Sequence, residues 1–267
     1  MRNVRILAFL AVAFASTGCL RVTYTMNLKP SGAGTISSTM AMSHAFRQQA
    51  GAMMDAKGGG SMIPTEAKLR EQAAAMGAGV RFVSATPYKT AGFEGVTALY
   101  AFDDVKKLKL NMEQAIAGAM NSPAGAAKMD PKADVKLTFT REGDRTVLVI
   151  GMPEVPEPSA EAKKQAAATT KQAETSPQVE AMMKQMIQGL LMEVAVNIDG
   201  RILKTNAPFV EGSRVVLLRM DGNEMLKSGQ GAAQLMRLGQ KPDFREALQN
   251  VPGLKVVTLP EVRIEFR

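Results

Sequence analysis

Beyond position 19 the chain alternates with period two. Leu20, Val22, Tyr24, Met26 and Leu28 are separated by Arg21, Thr23, Thr25 and Asn27. Such alternation predicts a half-buried strand with one apolar and one polar face. Pro30, Ser31, Gly32, Ala33 and Gly34 interrupt it, and Thr35 to Met42 is expected to return as the second strand of a hairpin. Val80 to Ala85 predicts a short strand, with a turn from Pro87 to Gly92 and a longer strand from Phe93 to Phe102. Val135, Leu137 and Phe139 alternate with polar residues, Glu142-Gly143-Asp144 turns the chain, and Arg145 to Met152 returns. Val147 to Ile150 is apolar on both faces, which places this return strand inside a sheet. Met192, Val194, Val196 and Ile198 define another strand. Asp199-Gly200 is a hairpin signal, so Arg201 to Thr205 is expected to pair back on it. Ser213 to Met220, Leu254 to Leu259 and the alternating Val262, Ile264 and Phe266 complete the strands.

Helical spacing occurs between these runs. Ser43 to Ala56 predicts a helix with a methionine-rich face, ended by Gly58, Gly59 and Gly60. A second helix spans Glu66 to Met76, capped by Thr65 and ended by Gly77 and Gly79. Asp103 and Asp104 suit the start of a short helical segment, where carboxylates meet the positive end of the dipole. Residues 111–134 form a weak helix and a loop, and 153–176 is a low-complexity Pro, Ala, Lys and Gln segment, either solvated helix or linker. After Ser176 and Pro177, the positions Val179, Met182, Met183, Met186, Ile187, Leu190 and Leu191 form one helical stripe. Asp243 and Glu246 form a capping box after Pro242. About ten strands and roughly four to six helices, with hairpins dominant, predict an α+β fold: a largely antiparallel β-sheet covered by helices on one face.

The first 18 residues follow a different pattern. Arg2 and Arg5 precede an apolar run from Ile6 to Ala15, followed by Ser16, Thr17, Gly18 and Cys19. That is the layout of a signal peptide, and the run is shorter than the ~20 residues a membrane span needs. The small residues before Cys19 resemble the lipobox of bacterial lipoproteins, with Ser16 where a leucine is usual. The resemblance implies cleavage before Cys19 and acylation of its thiol and amine, leaving residues 19–267 as an envelope domain. The alternative is an ordinary secreted protein cleaved near Gly18 with a free thiol. Strand alternation starts at Leu20, so an acyl anchor on Cys19 is expected to hold the folded sheet itself close to the bilayer. Leu20 is not the aspartate that retains some lipoproteins at the inner membrane, so outer membrane is preferred in a two-membrane cell.

Composition narrows the functional classes. The chain is 46% hydrophobic and 22% charged, within the globular range. Its formal net charge of +8 favours anionic headgroups or polyanionic glycans as neighbours. Nucleic acid is not expected, because there is no tryptophan and no basic helix with interleaved aromatics. His44 is the single histidine. With Met40, Met42, Met53, Met54 and Met62 it could offer a soft Cu(I) site. The 19 methionines, spread through the chain, favour adaptable core packing instead. Asp103 and Asp104 are adjacent and do not face each other across a substrate as hydrolytic carboxylates must. Gly58 to Gly60 lacks the Lys-Ser or Lys-Thr of a phosphate loop. No catalytic residue, cofactor or metal is expected.

Three stretches in order resemble the LppM-type bacterial lipoproteins. They are Cys19-Leu20-Arg21 running to Pro30-Ser31-Gly32-Ala33-Gly34; Gly92-Phe93-Glu94-Gly95 with Phe102-Asp103-Asp104-Val105; and Asn197-Ile198-Asp199-Gly200-Arg201-Ile202-Leu203-Lys204-Thr205-Asn206-Ala207. They cover roughly Cys19 to Met220. The resemblance implies an envelope-facing α+β domain that binds lipids or other hydrophobic molecules, with no catalytic residues. This chain departs from it in ending on a charged strand rather than a membrane helix, and in lacking a tryptophan near Leu217 and Leu218.

The expectation is therefore a non-enzymatic, lipid-anchored envelope protein. Its partners are the membrane through acylated Cys19 and a hydrophobic ligand or an envelope protein. The alternative is a structural or assembly component of the envelope without a small ligand. An exported hydrolase or a copper protein ranks below both. An apolar cavity between the sheet and the methionine-rich helices would favour a lipid ligand, whereas a cleft of acids and polar groups would point towards an enzyme.

Overall fold

The computed structural model describes residues 20–48, 63–111, 134–152, 164, 181, 184–185, 187–228, 234 and 244–267. Cys19, the signal-like segment and most of 153–176 lie outside these residues.

Strand β1 (Leu20–Leu28) forms a hairpin with β2 (Gly34–Ser43), in register from Leu20 opposite Met42 to Leu28 opposite Gly34. The turn closes through Lys29 N–H to the Ala33 carbonyl at 2.9 Å and Gly32 N–H to the Lys29 carbonyl at 3.0 Å. Beyond β2 lie β4 (Phe93–Phe102) and, at the edge, β3 (Val80–Lys89). On the other side, β8 (Leu191–Ile198) runs parallel to β1. β11 (Arg214–Asp221) then pairs antiparallel with β8, and carries β10 (Val210–Glu211) and β12 (Leu254–Val256). The strand order is β10-β11-β8-β1-β2-β4-β3, so β1 is central.

A second sheet has the order β5-β6-β7-β13-β9. It contains β5 (Leu110–Asn111), β6 (Asp134–Glu142), β7 (Arg145–Gly151), β9 (Ile202–Thr205) and β13 (Glu261–Phe266). β7 lies between β6 and β13 with Val147, Leu148 and Ile150 buried, as its two-sided apolar pattern predicts. Helix α1 (Glu66–Ala75) is capped by Thr65, whose hydroxyl accepts from Lys68 N–H. Helices α2 (Gly222–Lys227) and α3 (Phe244–Gln249) are short, and residues 44–48 are helical.

The expected α+β fold, a sheet covered by helices on one face, is therefore wrong: the described residues are mostly strand, arranged in two sheets. What covers the apolar face of the large sheet is mainly the second sheet. Met26, Leu28, Tyr100, Phe102, Val196, Ile198 and Val215 meet Leu148, Ile150, Val262, Ile264 and Phe266 in one core. Burying each such side chain contributes roughly 1.5–3 kcal/mol. Helix α1 adds Leu69 and Ala73, and its Gln72 accepts from the Tyr100 hydroxyl at 3.2 Å. Period-two alternation identifies a buried face but not what buries it. The apolar side chains of one hairpin face suit a facing sheet as well as a helix.

The Asp199-Gly200 hairpin is also corrected. β9 does not pair with β8; it crosses to the second sheet and pairs with β13. Gly200 sits at φ 155°, and a Cβ there would lie 2.3 Å from the Arg267 carbonyl oxygen. Arg201 and Arg267 exchange backbone hydrogen bonds at 2.9 and 3.2 Å. The dipeptide serves a close crossover between sheets. β3 extends to Lys89 through Pro87, where a turn was expected. Proline is tolerated there because β3 is an edge strand. A bulge between Phe82 and Ser84 leaves Val83 50% exposed, and together with Pro87 and Lys89 it makes that edge a poor template for further pairing. Leu191 begins β8 rather than continuing the methionine stripe. Of that stripe, Val179, Met182, Met183 and Met186 lie outside the described residues, while Ile187 packs with Met225, Leu248, Val251 and Leu254 in a second, smaller apolar cluster.

Candidate functional site

The second sheet covers one face of the large sheet. The opposite face carries the polar positions of the alternating strands. One transverse row of that face follows directly from the pairing register. Arg214 on β11 stands opposite Asn197 on β8, Asn197 opposite Asn27 on β1, and Asn27 opposite Thr35 on β2. Thr35 is opposite Ala101 on β4, and Ala101 opposite Arg81 on β3. The row thus crosses six strands, with an arginine at each end.

Its centre is wired by side chains. Arg214 Nη1 donates to Asn197 Oδ1 at 2.9 Å, Asn197 Nδ2 to Asn27 Oδ1 at 2.9 Å, and Asn27 Nδ2 to Thr35 Oγ1 at 3.2 Å. Ala101 is the small member, and the floor of the sheet is open above it. The result is an open-sided cleft of about 470 Å³ over the ends of β1, β2, β4 and β8. Lys29, Asp103 and Asp199 stand at its rim. Arg81 Nη1 donates to both Asp103 oxygens at 2.9 and 3.2 Å, an exposed pair that fixes one wall. The Lys29 side chain has no hydrogen-bond or ion-pair partner among the described residues, and Lys29 is exposed.

Next to the cleft, the same face holds an ion network. Glu193, 11% exposed at its side chain, is shared by Arg214 and Arg219. Arg219 also grips Glu211 bidentately at 2.7 and 3.0 Å, and Lys255 Nζ donates to Glu211 at 2.7 Å. The Arg219 and then the Lys255 hydrogen bonds lower the Glu211 carboxyl to about 2. Arg219 is held above its usual range, first by Glu211. The network pins Arg214 in place and so orients Asn197.

The other end of β1 is built differently. Arg21 lies across Ala41 and Gly95, reaching Tyr88 Oη at 3.3 Å and stacking 4.3 Å above the Phe93 ring. A Cβ on Gly95 would sit 2.0 Å from the Met40 carbonyl oxygen and 2.7 Å from Ala41 Cβ, so only glycine fits beneath that arm. His44 is exposed beside this end, while Met42 is fully buried. The structure does not bring these two into one solvent-facing set, and Met53, Met54 and Met62 lie outside the described residues. No group of three or more His, Cys, Asp or Glu side chains that could hold a metal occurs among the described residues.

Other sequence-stretch expectations fall out separately. Asp104 caps the short 3-10 turn Val105–Lys107 by accepting from Lys106 N–H at 3.0 Å, whereas Asp103 turns to Arg81. Asp243 lies outside the described residues. Burial, and then the nearby Tyr24, push the Tyr100 hydroxyl well above its usual range, so it stays a neutral donor in the core. The cleft residues Asn27, Thr35, Arg81 and Asn197 were not anticipated. Their one local signal was chemical: the polar positions at the cleft end of β1, β2 and β8 (Thr25, Asn27, Thr35, Ser37 and Asn197) are short amides and hydroxyls rather than the long Lys and Glu typical of a solvated face.

No family model matches the chain, and no curated protein matches it. Among solved structures, it is similar to the folded domain of the LppM protein of Mycobacterium tuberculosis, determined by NMR. Identity is 12% over 96% of this chain and 94% of that one, with a TM-score of 0.32. At that level neither topology nor function transfers, and the chain stands on its own geometry. No helix among the described residues is long and apolar enough to cross a membrane.

Proposed function

We propose that this protein is a lipid-anchored, non-enzymatic binding domain of the bacterial envelope. The observation that carries the reading is the position of β1. It starts at Leu20, the residue after the lipobox-like Cys19, and it is the central strand of the large sheet. An acyl anchor on Cys19 would therefore be joined to the middle of the fold with no spacer. Two or more acyl chains, at ~0.8 kcal/mol per buried methylene, give stable membrane attachment. β1 rises about 25 Å from Leu20 to Leu28 at ~3.3 Å per residue. The anchor and the polar cleft then lie at opposite ends of one rigid strand. The anchor end would rest on the bilayer, with the cleft presented away from it, and Leu20 after the cysteine favours the outer membrane of a two-membrane cell.

A polar cleft is also what a hydrolase would use. Three features support binding over catalysis. Asp103 has both oxygens engaged by Arg81, Asn27 and Asn197 are locked to each other, and the single histidine sits at the far end of the sheet. The lipid-ligand expectation placed an acyl chain beside the methionine stripe, most of which lies outside the described residues; the cleft itself mixes two amides, one hydroxyl and four charged side chains with the apolar Ala33, Ala101, Phe102 and Ile198. The test is intact mass and membrane fractionation of the wild type and of Cys19→Ala. The reading expects an acylated, membrane-bound wild type and a soluble variant of unmodified mass. Two identical soluble species would refute the anchor.

A further inference from the structure

We infer that the cleft at the end of β1 is a binding site for a neutral saccharide. This deepens the binding role proposed above by giving it a ligand class, and it is tested apart from the anchor.

The first argument is hydrogen-bonding capacity. Asn27 and Asn197 each spend one N–H and one carbonyl lone pair on the row. Each side chain therefore retains one N–H and one further lone pair. Thr35 accepts from Asn27 and keeps its own O–H. The floor thus presents donors and acceptors side by side, held in place by register and by the pinned Arg214. A sugar hydroxyl both donates and accepts, so neighbouring hydroxyls satisfy such a floor; an ionised carboxylate or a phosphodiester, which only accepts, leaves its carbonyl oxygens unmatched.

The second argument is charge. The cations at the cleft are Lys29 and Arg81, and the anions are Asp103 and Asp199. They balance formally, and Arg81 is already neutralised by Asp103. Lys29 and Asp199 remain at the rim with opposite charges, so the cleft has no net charge to favour an anion and offers Lys29 as a donor and Asp199 as an acceptor to hydroxyls. The third argument is size. A volume of about 470 Å³ falls within the range of small-molecule sites, with room for roughly one or two pyranose rings. The Phe102 ring is 2% exposed and belongs to the core, so the cleft has no exposed ring to stack on. Affinity should then be weak per site, with Kd on the order of 1 mM, the regime in which a surface-tethered protein gains by engaging a repeating polymer many times.

The experiment is saturation-transfer NMR on the full chain in detergent micelles, with maltotriose, mannobiose and N,N′-diacetylchitobiose as probes. Transfer to the ring protons of at least one probe is expected. Asn27→Leu, which removes the central amide, and Lys29→Met, an exposed turn residue that cannot disturb the core, should each weaken it about fivefold or more in Kd. Thr86→Ala, exposed on the same sheet face outside the cleft, should leave it unchanged. If Asn27→Leu loses its circular-dichroism signature, Lys29→Met carries the test alone. Absence of transfer to all three probes, transfer indifferent to Lys29→Met, or displacement of the sugar by an equal concentration of inorganic phosphate would each overturn the proposal. Cys19→Ala should bind the probes as wild type does. A variant that binds sugar while wild type carries no acyl mass would sink the anchor and leave the cleft assignment standing.

Discussion

The two faces of the large sheet are made by the same strands, and they are held together by different physics. On the inner face, Leu28, Tyr100, Phe102 and Ile198 are shielded by the second sheet and exclude water almost entirely. On the outer face, the residues one position along, Asn27, Ala101 and Asn197, form a hydrogen-bonded row under an open cleft. Non-directional burial stabilises the first face. The second depends on directional contacts whose net worth is small. The sheet can therefore lose much of its outer chemistry and stay folded, which frees that face to carry function.

The sharpest way to break the comparison is through the inner face. Phe266→Ala or Leu148→Ala, both fully buried between the sheets, should cost about 3–5 kcal/mol of unfolding free energy in a denaturant titration. Gly95→Ala tests the outer face where it is tightest. Its Cβ meets backbone, which cannot rotate away, so a loss of about 2–3 kcal/mol is expected. By contrast, Asn27→Leu should move stability by roughly 1 kcal/mol or less while removing the cleft's central amide. A large loss from Asn27→Leu, comparable with Phe266→Ala, would show that the polar row holds the fold and is not a spare face.

The smallest effect concerns acid. Glu211 titrates near 4.5 when unpaired and at about 2 when held by Arg219 and Lys255. A depressed carboxyl stabilises the fold above its unfolded value and loses that contribution as pH falls. Wild type should therefore lose stability between pH 4.5 and about 2 more steeply than Glu211→Gln. The Glu211 side chain is 38% exposed, so solvent screening keeps the difference small. Parallel acid profiles for the two proteins would remove the network from the account.

Much of this architecture was legible in the alternation of single strands. β1, β4 and β13 fall where period two places them, β7 where its two-sided apolar run places it, and the two hairpins β1–β2 and β6–β7 follow their turns. Sheet membership was not legible. Val262, Ile264 and Phe266 state that β13 has a buried face, but its partners β7 and β9 come from distant parts of the chain. Nothing local distinguishes a strand that joins the first sheet from one that builds a second. Asp199-Gly200 misled for the same reason, since a turn dipeptide sets the local bend and not the partner. The cleft was invisible because a transverse row is defined by register between strands. Asn27 and Asn197 lie far apart in sequence and meet only when β8 docks parallel to β1.

The central claim is that the chain is tethered at one end of β1 and presents its polar cleft at the other. It is tested most directly by depth-dependent quenching on the acylated protein in vesicles, with fluorophores introduced at Ala91→Cys or Lys29→Cys and nitroxide-labelled lipids as quenchers. Ala91 is exposed in the β3–β4 turn beside the anchor end, and Lys29 is exposed at the cleft. The account predicts strong quenching at position 91 and little at position 29, about 25 Å further along β1. Equal quenching at both positions, or none at either, would contradict it.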